Sequence, residues 1–184
     1  MTFYQKCIPH HYDVSIFDID YETLKKQGIH ALFFDLDNTI IGYDQVRLDE
    51  KHRTLITSLQ KDFFVVILSN TNLSRVSTAL EGLDVPFLFH ATKPLKRGFK
   101  KALKISKTTV NDTVMIGDQL MTDVFGANRM GIKTILIRSV KRKSDRWMTK
   151  INRIFERFVL KKVQKKYPSL YLERLKDYVD DHEM

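Results

Sequence analysis

Cysteine is almost missing: Cys7 stands alone among 184 residues, so no disulfide can close within the chain, which fits a reducing compartment. Long apolar runs are missing as well. The longest, Phe63-Phe64-Val65-Val66-Ile67-Leu68, is far short of the roughly 20 residues a membrane-spanning helix needs. The N-terminus MTFYQKCIPHHYDVSIFD lacks the basic start, apolar block and small-residue cleavage site of a signal peptide. No internal repeat and no Gly/Ser- or Pro-rich linker divides the chain. Six scattered histidines and one cysteine give no zinc-like spacing. His10, His11, His52 and His90 read as structural or surface residues, with His90 close enough to Lys93 to touch a site there.

What is present suits one globular domain with a real core: 43% hydrophobic and 29% charged residues. The net charge of +9 is uneven. Between Lys141 and Lys166, eleven basic residues stand against two acidic ones, so this segment carries the whole excess. A local basic patch suggests an anionic partner, lipid headgroups or nucleic acid.

Apolar, β-branched or aromatic runs recur at Ala31 to Leu36, Phe63 to Leu68, Pro86 to Phe89, Thr113 to Ile116 and Thr134 to Ile137. They are continuous rather than alternating, which predicts five strands buried on both faces. Helical patterns lie between them at Asp49 to Gln60, Leu73 to Leu83, Lys96 to Ile105 and Met121 to Arg129. This alternation predicts an α/β, Rossmann-like three-layer sandwich around a five-stranded parallel sheet, with right-handed crossovers. Residues 1–28 read as an N-terminal extension with one helix at Tyr21 to Gln27 ending at Gly28. Residues 29–140 read as the core, and 141–184 as a basic amphipathic helical segment.

In open α/β sheets, ligands bind beyond the carboxyl ends of the strands. There the sequence places Asp35, Asp37, Asn38 and Thr39; then Ser69-Asn70-Thr71; then Thr92-Lys93-Pro94; then Gly117-Asp118 with Thr122-Asp123. Taken singly, each group could be a turn or a helix cap, with Asn70 capping the helix near Leu73. Their recurrence at four strand ends is not explained that way. Strand periodicity predicts that Asp35 and Asp37 point to one side. With Asp118 and Asp123 in the same crevice, each carboxylate pair at about 4 Å repels by roughly 4 kcal/mol at an effective dielectric of about 20. Lys93 alone does not neutralise this, and an all-oxygen site with room for water and phosphate favours Mg2+.

The series Asp35-Leu36-Asp37-Asn38-Thr39, Ser69, Lys93 before Pro94, and Gly117-Asp118-Gln119-Leu120-Met121-Thr122-Asp123 resembles the four motifs of the haloacid dehalogenase (HAD) superfamily of phosphatases. The resemblance covers roughly residues 29 to 140. It implies that Asp35 is the nucleophile forming an aspartyl-phosphate, and that Asp37 protonates the leaving oxygen and then activates water. It implies that Ser69 and Lys93 hold the phosphoryl oxygens with help from Asn70. Mg2+ would be bound by Asp35, the Asp37 carbonyl and Asp118, with Asp123 behind them. The chemistry is coherent, since covalent catalysis divides a hard displacement into two steps while Lys and metal stabilise charge. The intervals from Thr39 to Ser69 and from Lys93 to Asp118 leave no room for an inserted cap domain. An open site favours a large substrate: a phospholipid, a nucleic acid end or a phosphoprotein.

Pro9, Val14 to Asp20, Leu24 and Gly28-Ile29 leading into FFDLDNT, with Leu68 to Thr71 and Ala91 to Pro94, look like the YqeG branch of this superfamily. That branch is similar to the fungal mitochondrial phosphatidylglycerophosphate phosphatase. The implied reaction is hydrolysis of phosphatidylglycerophosphate to phosphatidylglycerol.

In the tail, Trp147, Ile151, Ile154, Phe155, Phe158, Val159 and Val163 recur at helical spacing opposite Arg146, Lys150, Arg153, Arg157, Lys161 and Lys165. Such a helix suits an anionic membrane surface, which would make the protein cytoplasmic and peripheral on the inner face of the membrane. The same face could instead pack on the core or pair in a dimer, and the basic side could bind nucleic acid. A non-catalytic RNA- or ribosome-binding module is the rival of another class, and complete motifs argue against it. Tyr167 to Asp180 reads as a second helix folding back.

Overall fold

Strand β2 (Ala31–Phe34), every residue of it buried, runs through the middle of the sheet between β3 (Phe64–Leu68) and β5 (Thr113–Gly117). The computed structural model describes residues 1–140 and 147–182, with side chains for 1–140 and 155–182. The remaining strands are β1 (His11–Asp13), β4 (Phe87–Leu88) and β6 (Lys133–Ile137), and all neighbours are parallel in the order β1-β6-β5-β2-β3-β4.

The sheet therefore has six strands, not the five expected. The additional strand, His11-Tyr12-Asp13, pairs with Ile135 to Ile137 at an edge. It is three residues long, polar and at best half-buried, so it carries no apolar run to betray it.

Alternation along β2 feeds two cores. Leu32 and Phe34 join Ile56, Leu59, Ile67 and Val76 on the face covered by α3 (Glu50–Leu59) and α4 (Leu73–Ala79). Ala31 and Phe33 join Phe99, Ala102, Met115 and Ala127 on the face covered by α5 (Lys96–Ser106) and α6 (Phe125–Asn128). Burial of each large apolar side chain stabilises by about 1.5–3 kcal/mol. Two short N-terminal helices, α1 (Phe3–Lys6) and α2 (Tyr21–Lys26), complete the front of the chain. Gly28, at φ 76°, ends the turn after α2 in the left-handed region.

Two helical expectations change. The predicted helix at Met121 to Arg129 begins as a π-helical turn, Leu120–Val124, before α6. Helix α4 stops at Ala79 instead of Leu83, and its N-cap is Asn72, whose side chain accepts from the Arg75 N–H; Asn70 does other work.

The tail forms α7 (Trp147–Lys166), α8 (Pro168–Arg174) and α9 (Lys176–Asp181). Val159, Leu160 and Val163 pack with Cys7, Leu120, Leu136, Tyr171, Leu175 and Tyr178 in a third apolar cluster. Phe155 and Phe158, expected on the same face, stay exposed and stack on each other at 6.3 Å. The tail face is thus split, while the side chains of Arg146, Trp147, Lys150, Ile151, Arg153 and Ile154 lie outside the described residues. Among the described residues, no helix is long and apolar enough to cross a membrane.

Candidate active site

The chain runs from β2 outward to β3 and β4, then crosses back to β5 on the other side of β2. This reversal opens a crevice between the ends of β2 and β5, the place where open α/β sheets bind ligands. Asp35 follows β2, its N–H still bonded to the Ile116 carbonyl at 2.9 Å. Asp118 follows β5 and is fully buried. Asp123 arrives from the π-helical turn, and its Oδ2 accepts from the Gln119 N–H at 3.1 Å. A Cβ on Gly117 would lie 2.4 Å from that same Oδ2, so glycine there lets Asp123 fold back over the strand end.

Lys93 comes from the loop after β4. That loop is fastened to the end of β3 by His90 N–H to Thr71 O at 2.8 Å and Ala91 N–H to Ser69 O at 2.9 Å. Asn70 completes the fastening: its Oδ1 accepts from the Lys93 N–H at 2.7 Å and its Nδ2 donates to the Lys93 carbonyl at 2.9 Å. Asn70, expected to help hold the phosphoryl oxygens, thus also positions the Lys93 backbone. Gly98 closes the other side, where a Cβ would meet the Ala91 carbonyl oxygen at 2.3 Å.

The result is a buried ion cluster in which the Asp35 side chain keeps 8% of its surface exposed. Lys93 Nζ lies 2.8 Å from Asp35 Oδ1 and 2.7 Å from Asp123 Oδ1. Asp35, Asp118 and Asp123 each offer an oxygen within 4.8 Å of the others, and Thr39 Oγ1 donates to Asp118 Oδ1 at 3.5 Å. Burial, reinforced by Asp123 and Asp118, pushes the Asp35 carboxyl well above the usual carboxylate range against the pull of Lys93. Burial lowers the Lys93 ammonium, but Asp123 and Asp35 outweigh it and hold it above the ordinary lysine range. Three carboxylates and one ammonium leave excess negative charge, and an all-oxygen donor set of this kind fits a hard divalent cation. Ser69, also buried, stands at the end of β3 with its Oγ accepting from the Thr71 N–H at 3.2 Å.

Asp37 has a partner that the sequence does not point to. Strand β2 ends at Phe34 and Asn38 adopts a left-handed φ of 64°, so two-residue alternation no longer sets the direction of Asp37. Its Oδ1 instead meets Arg75, at 3.0 Å from Nε and 2.9 Å from Nη2. Arg75 also donates to the carbonyls of Gly42, Gln45 and Val46. This residue escaped the sequence reading because one arginine on a helix carries no motif; only the fold brings it to Asp37. His90 is exposed, its ring against Phe89 at 5.6 Å.

Comparison with known proteins agrees with this geometry. Residues 90–162 match a family model described as HAD-hydrolase-like. The chain is 35% identical to "Probable phosphatase YqeG" of Bacillus subtilis over 86% of this chain and 92% of that protein. It is 26% identical to "Phosphatidylglycerophosphate phosphatase 1, chloroplastic/mitochondrial" of Arabidopsis thaliana over 86% of this chain, spanning 48% of that protein's length. A solved HAD family enzyme of Bacteroides thetaiotaomicron shares the fold with TM-score 0.51 at 14% identity, over 67% of this chain and 98% of its own. The buried carboxylates at the strand ends and the relation to YqeG lead to one conclusion: the chain belongs to the haloacid dehalogenase (HAD) superfamily of phosphatases.

Proposed function

We propose that the protein is an Mg2+-dependent phosphomonoester hydrolase that works through an aspartyl-phosphate on Asp35, and that its substrate is phosphatidylglycerophosphate. The observation that carries the chemistry is Lys93 pinned between Asp35 and Asp123 beside Asp118. A carboxylate oxygen of Asp35 attacks phosphorus, and the bond to the ester oxygen breaks as Asp37 gives that oxygen a proton. Asp37 then takes a proton from water, whose oxygen attacks phosphorus, freeing phosphate and restoring the Asp35 carboxylate. Ser69 and Lys93 hold the phosphoryl oxygens during both steps. Asp35, the Asp37 carbonyl and Asp118, with Asp123 behind them, would hold Mg2+, which would supply charge stabilisation on the transferred group.

The substrate reading is supported by the Arabidopsis relative's name and by the intervals around the site. Between Thr39 and Ser69 stand α3 and β3, and between Lys93 and Asp118 stand α5 and β5, which suits an open site and a large substrate. The basic segment 141–166 and exposed Phe155 and Phe158 fit a protein held on an anionic membrane surface. The test is phosphate release from phosphatidylglycerophosphate in micelles, 5′- and 3′-phosphorylated oligonucleotides, phosphopeptides and a small triose phosphate. Preference for the lipid is expected, and preference for any other member overturns the substrate assignment.

Mg2+ should raise the melting temperature. At about ten times its Kd the gain is about 1.4 kcal/mol, or roughly 3–6 °C for a chain of this size. A raised folded-state carboxyl contributes stability that is full below the unfolded aspartate range and is lost as pH rises through the raised value. Mg2+ competes with that proton, so its stabilisation should grow as pH rises through that raised value. Melting curves insensitive to both Mg2+ and chelator would contradict the metal site.

Arg75 positions Asp37. Arg75→Met should lower kcat by about 10–100-fold on an alkyl phosphate, whose poor leaving group needs a proton, and by less than about threefold on an activated aryl phosphate. In an Asp37→Asn background the alkyl loss should vanish, because the two residues act as a unit. Equal losses on both substrates would mark Arg75 as purely structural.

A further inference from the structure

Three connections leave the carboxyl ends of β2, β3 and β4, and each places a large apolar side chain in solvent: Val46 on the first, Leu73 on the second, Phe89 and Leu95 on the third, between 43% and 63% exposed. Neither the two sheet cores nor the phosphate chemistry uses these residues. They belong to one rim. Arg75 in α4 ties the first connection to the second through the Gly42 and Val46 carbonyls, both at 3.3 Å. The second is tied to the third by Thr71 to His90, Ser69 to Ala91 and Asn70 to Lys93. The same connections deliver Asp37, Ser69 and Lys93, so the exposed apolar side chains share the β2–β4 side of the site with them.

The rim is also basic. Residues 42–47, 70–75 and 89–97 carry Arg47, Arg75, Lys93, Lys96 and Arg97 against a single acidic residue, Asp44. Arg47 is matched by Glu81 at 2.5 Å, and Arg75 and Lys93 are committed to the site. The electrostatic weight therefore falls on α5, which starts at the rim. Lys96 and Arg97 in its first turn are both exposed, and the helix contains no acidic residue.

We infer that the mouth of the active site is itself a membrane-docking face: Val46, Leu73, Phe89 and Leu95 enter the headgroup boundary of an anionic bilayer while Lys96 and Arg97, in the first turn of α5, meet the headgroups. Three aliphatic side chains and one phenylalanine beside lysine and arginine match an interface that is apolar below and anionic above. Nucleic acid would be met instead by stacking aromatics along a charged groove. Docked this way, a phosphate on a lipid headgroup reaches Asp35 without leaving the bilayer. The turnover part rests on the lipid-phosphate reading above; the docking part does not.

The test is sedimentation of full-length Asp35→Asn protein with phosphatidylcholine vesicles, with and without phosphatidylglycerol. Added Leu73→Ser, Phe89→Ser and Leu95→Ser together should weaken binding to the mixed vesicles at least about tenfold. Lys96→Gln with Arg97→Gln should weaken it by a similar factor and reduce its salt dependence. Leu95→Ser alone keeps the test open if the triple variant folds poorly, since position 95 is the N-cap of α5 and serine is favoured there; it should weaken binding severalfold with an unchanged melting temperature. In the active protein, the triple change should lower the ratio of turnover on vesicle-borne to monomeric short-chain lipid phosphate. Loss of vesicle binding in the rim variants supports docking whichever phosphate proves to be the substrate. Rim variants that bind like the parent, while Phe155→Ser with Phe158→Ser abolishes binding, would overturn it in favour of α7, and so would parent protein that ignores anionic vesicles.

Discussion

Asp35→Asn is expected to remove turnover of even an activated aryl phosphate, a loss of at least about 10,000-fold in kcat. An amide nitrogen or oxygen does not replace the attacking carboxylate, and no second carboxylate is placed as Asp35 is, at the end of β2 and 2.8 Å from Lys93 Nζ. The fold should not suffer. The change removes one negative charge from a cluster that also contains Asp118 and Asp123, while Lys93 keeps Asp123 at 2.7 Å. Metal-free melting should therefore be unchanged or raised, with the Mg2+ effect reduced. Asp35→Asn protein with near-normal turnover would end the nucleophile assignment.

Lys93→Met should damage both stability and chemistry. The ammonium is buried between two carboxylates, and deleting one partner of a buried charge cluster costs about 3–5 kcal/mol, roughly 6–20 °C in melting temperature at this size. Asp35 relieves part of the strain by taking a proton, so the loss should be smaller in acid than at neutral pH. Mg2+ should restore part of the stability by replacing the missing positive charge, yet kcat should stay down by about 100–1,000-fold because the phosphoryl oxygens lose a fixed cation. A variant with wild-type melting and wild-type kcat would contradict both roles.

The parts that sequence made legible share a physical cause. Strands buried on both faces must be apolar without interruption, so Ala31 to Phe34 and Thr113 to Ile116 stand out in the chain, and the polar residues that end them mark the crevice. Asp35, Lys93, Asp118 and Asp123 all come to that crevice, with Ser69 at the neighbouring end of β3. What was not legible depends on local departures from regular geometry or on long-range contact. Strand β1 is short, polar and at the edge, held by backbone pairing to Ile135 through Ile137 and by Tyr12 against Tyr178 and Asp181. Asp37 could not be oriented by strand alternation once β2 had ended at Phe34. Its partner Arg75 lies 38 residues away on another element. Asn70, the expected cap of α4, is occupied by Lys93, and Asn72 takes the capping position. In the tail, helical periodicity correctly marks Val159 and Val163 as apolar-face residues but does not separate them from Phe155 and Phe158, which face solvent.

The covalent step is tested most directly by trapping it. Wild-type protein turning over an aryl phosphate with Mg2+ should be quenched with borohydride, which reduces an acyl phosphate to the alcohol, and the peptide carrying FFDLDNTI mapped by mass spectrometry. The mechanism predicts homoserine at position 35, dependent on both substrate and Mg2+ and absent from Asp35→Asn. Homoserine at another position, or none while phosphate is released and a known acyl phosphate is reduced in parallel, would contradict it.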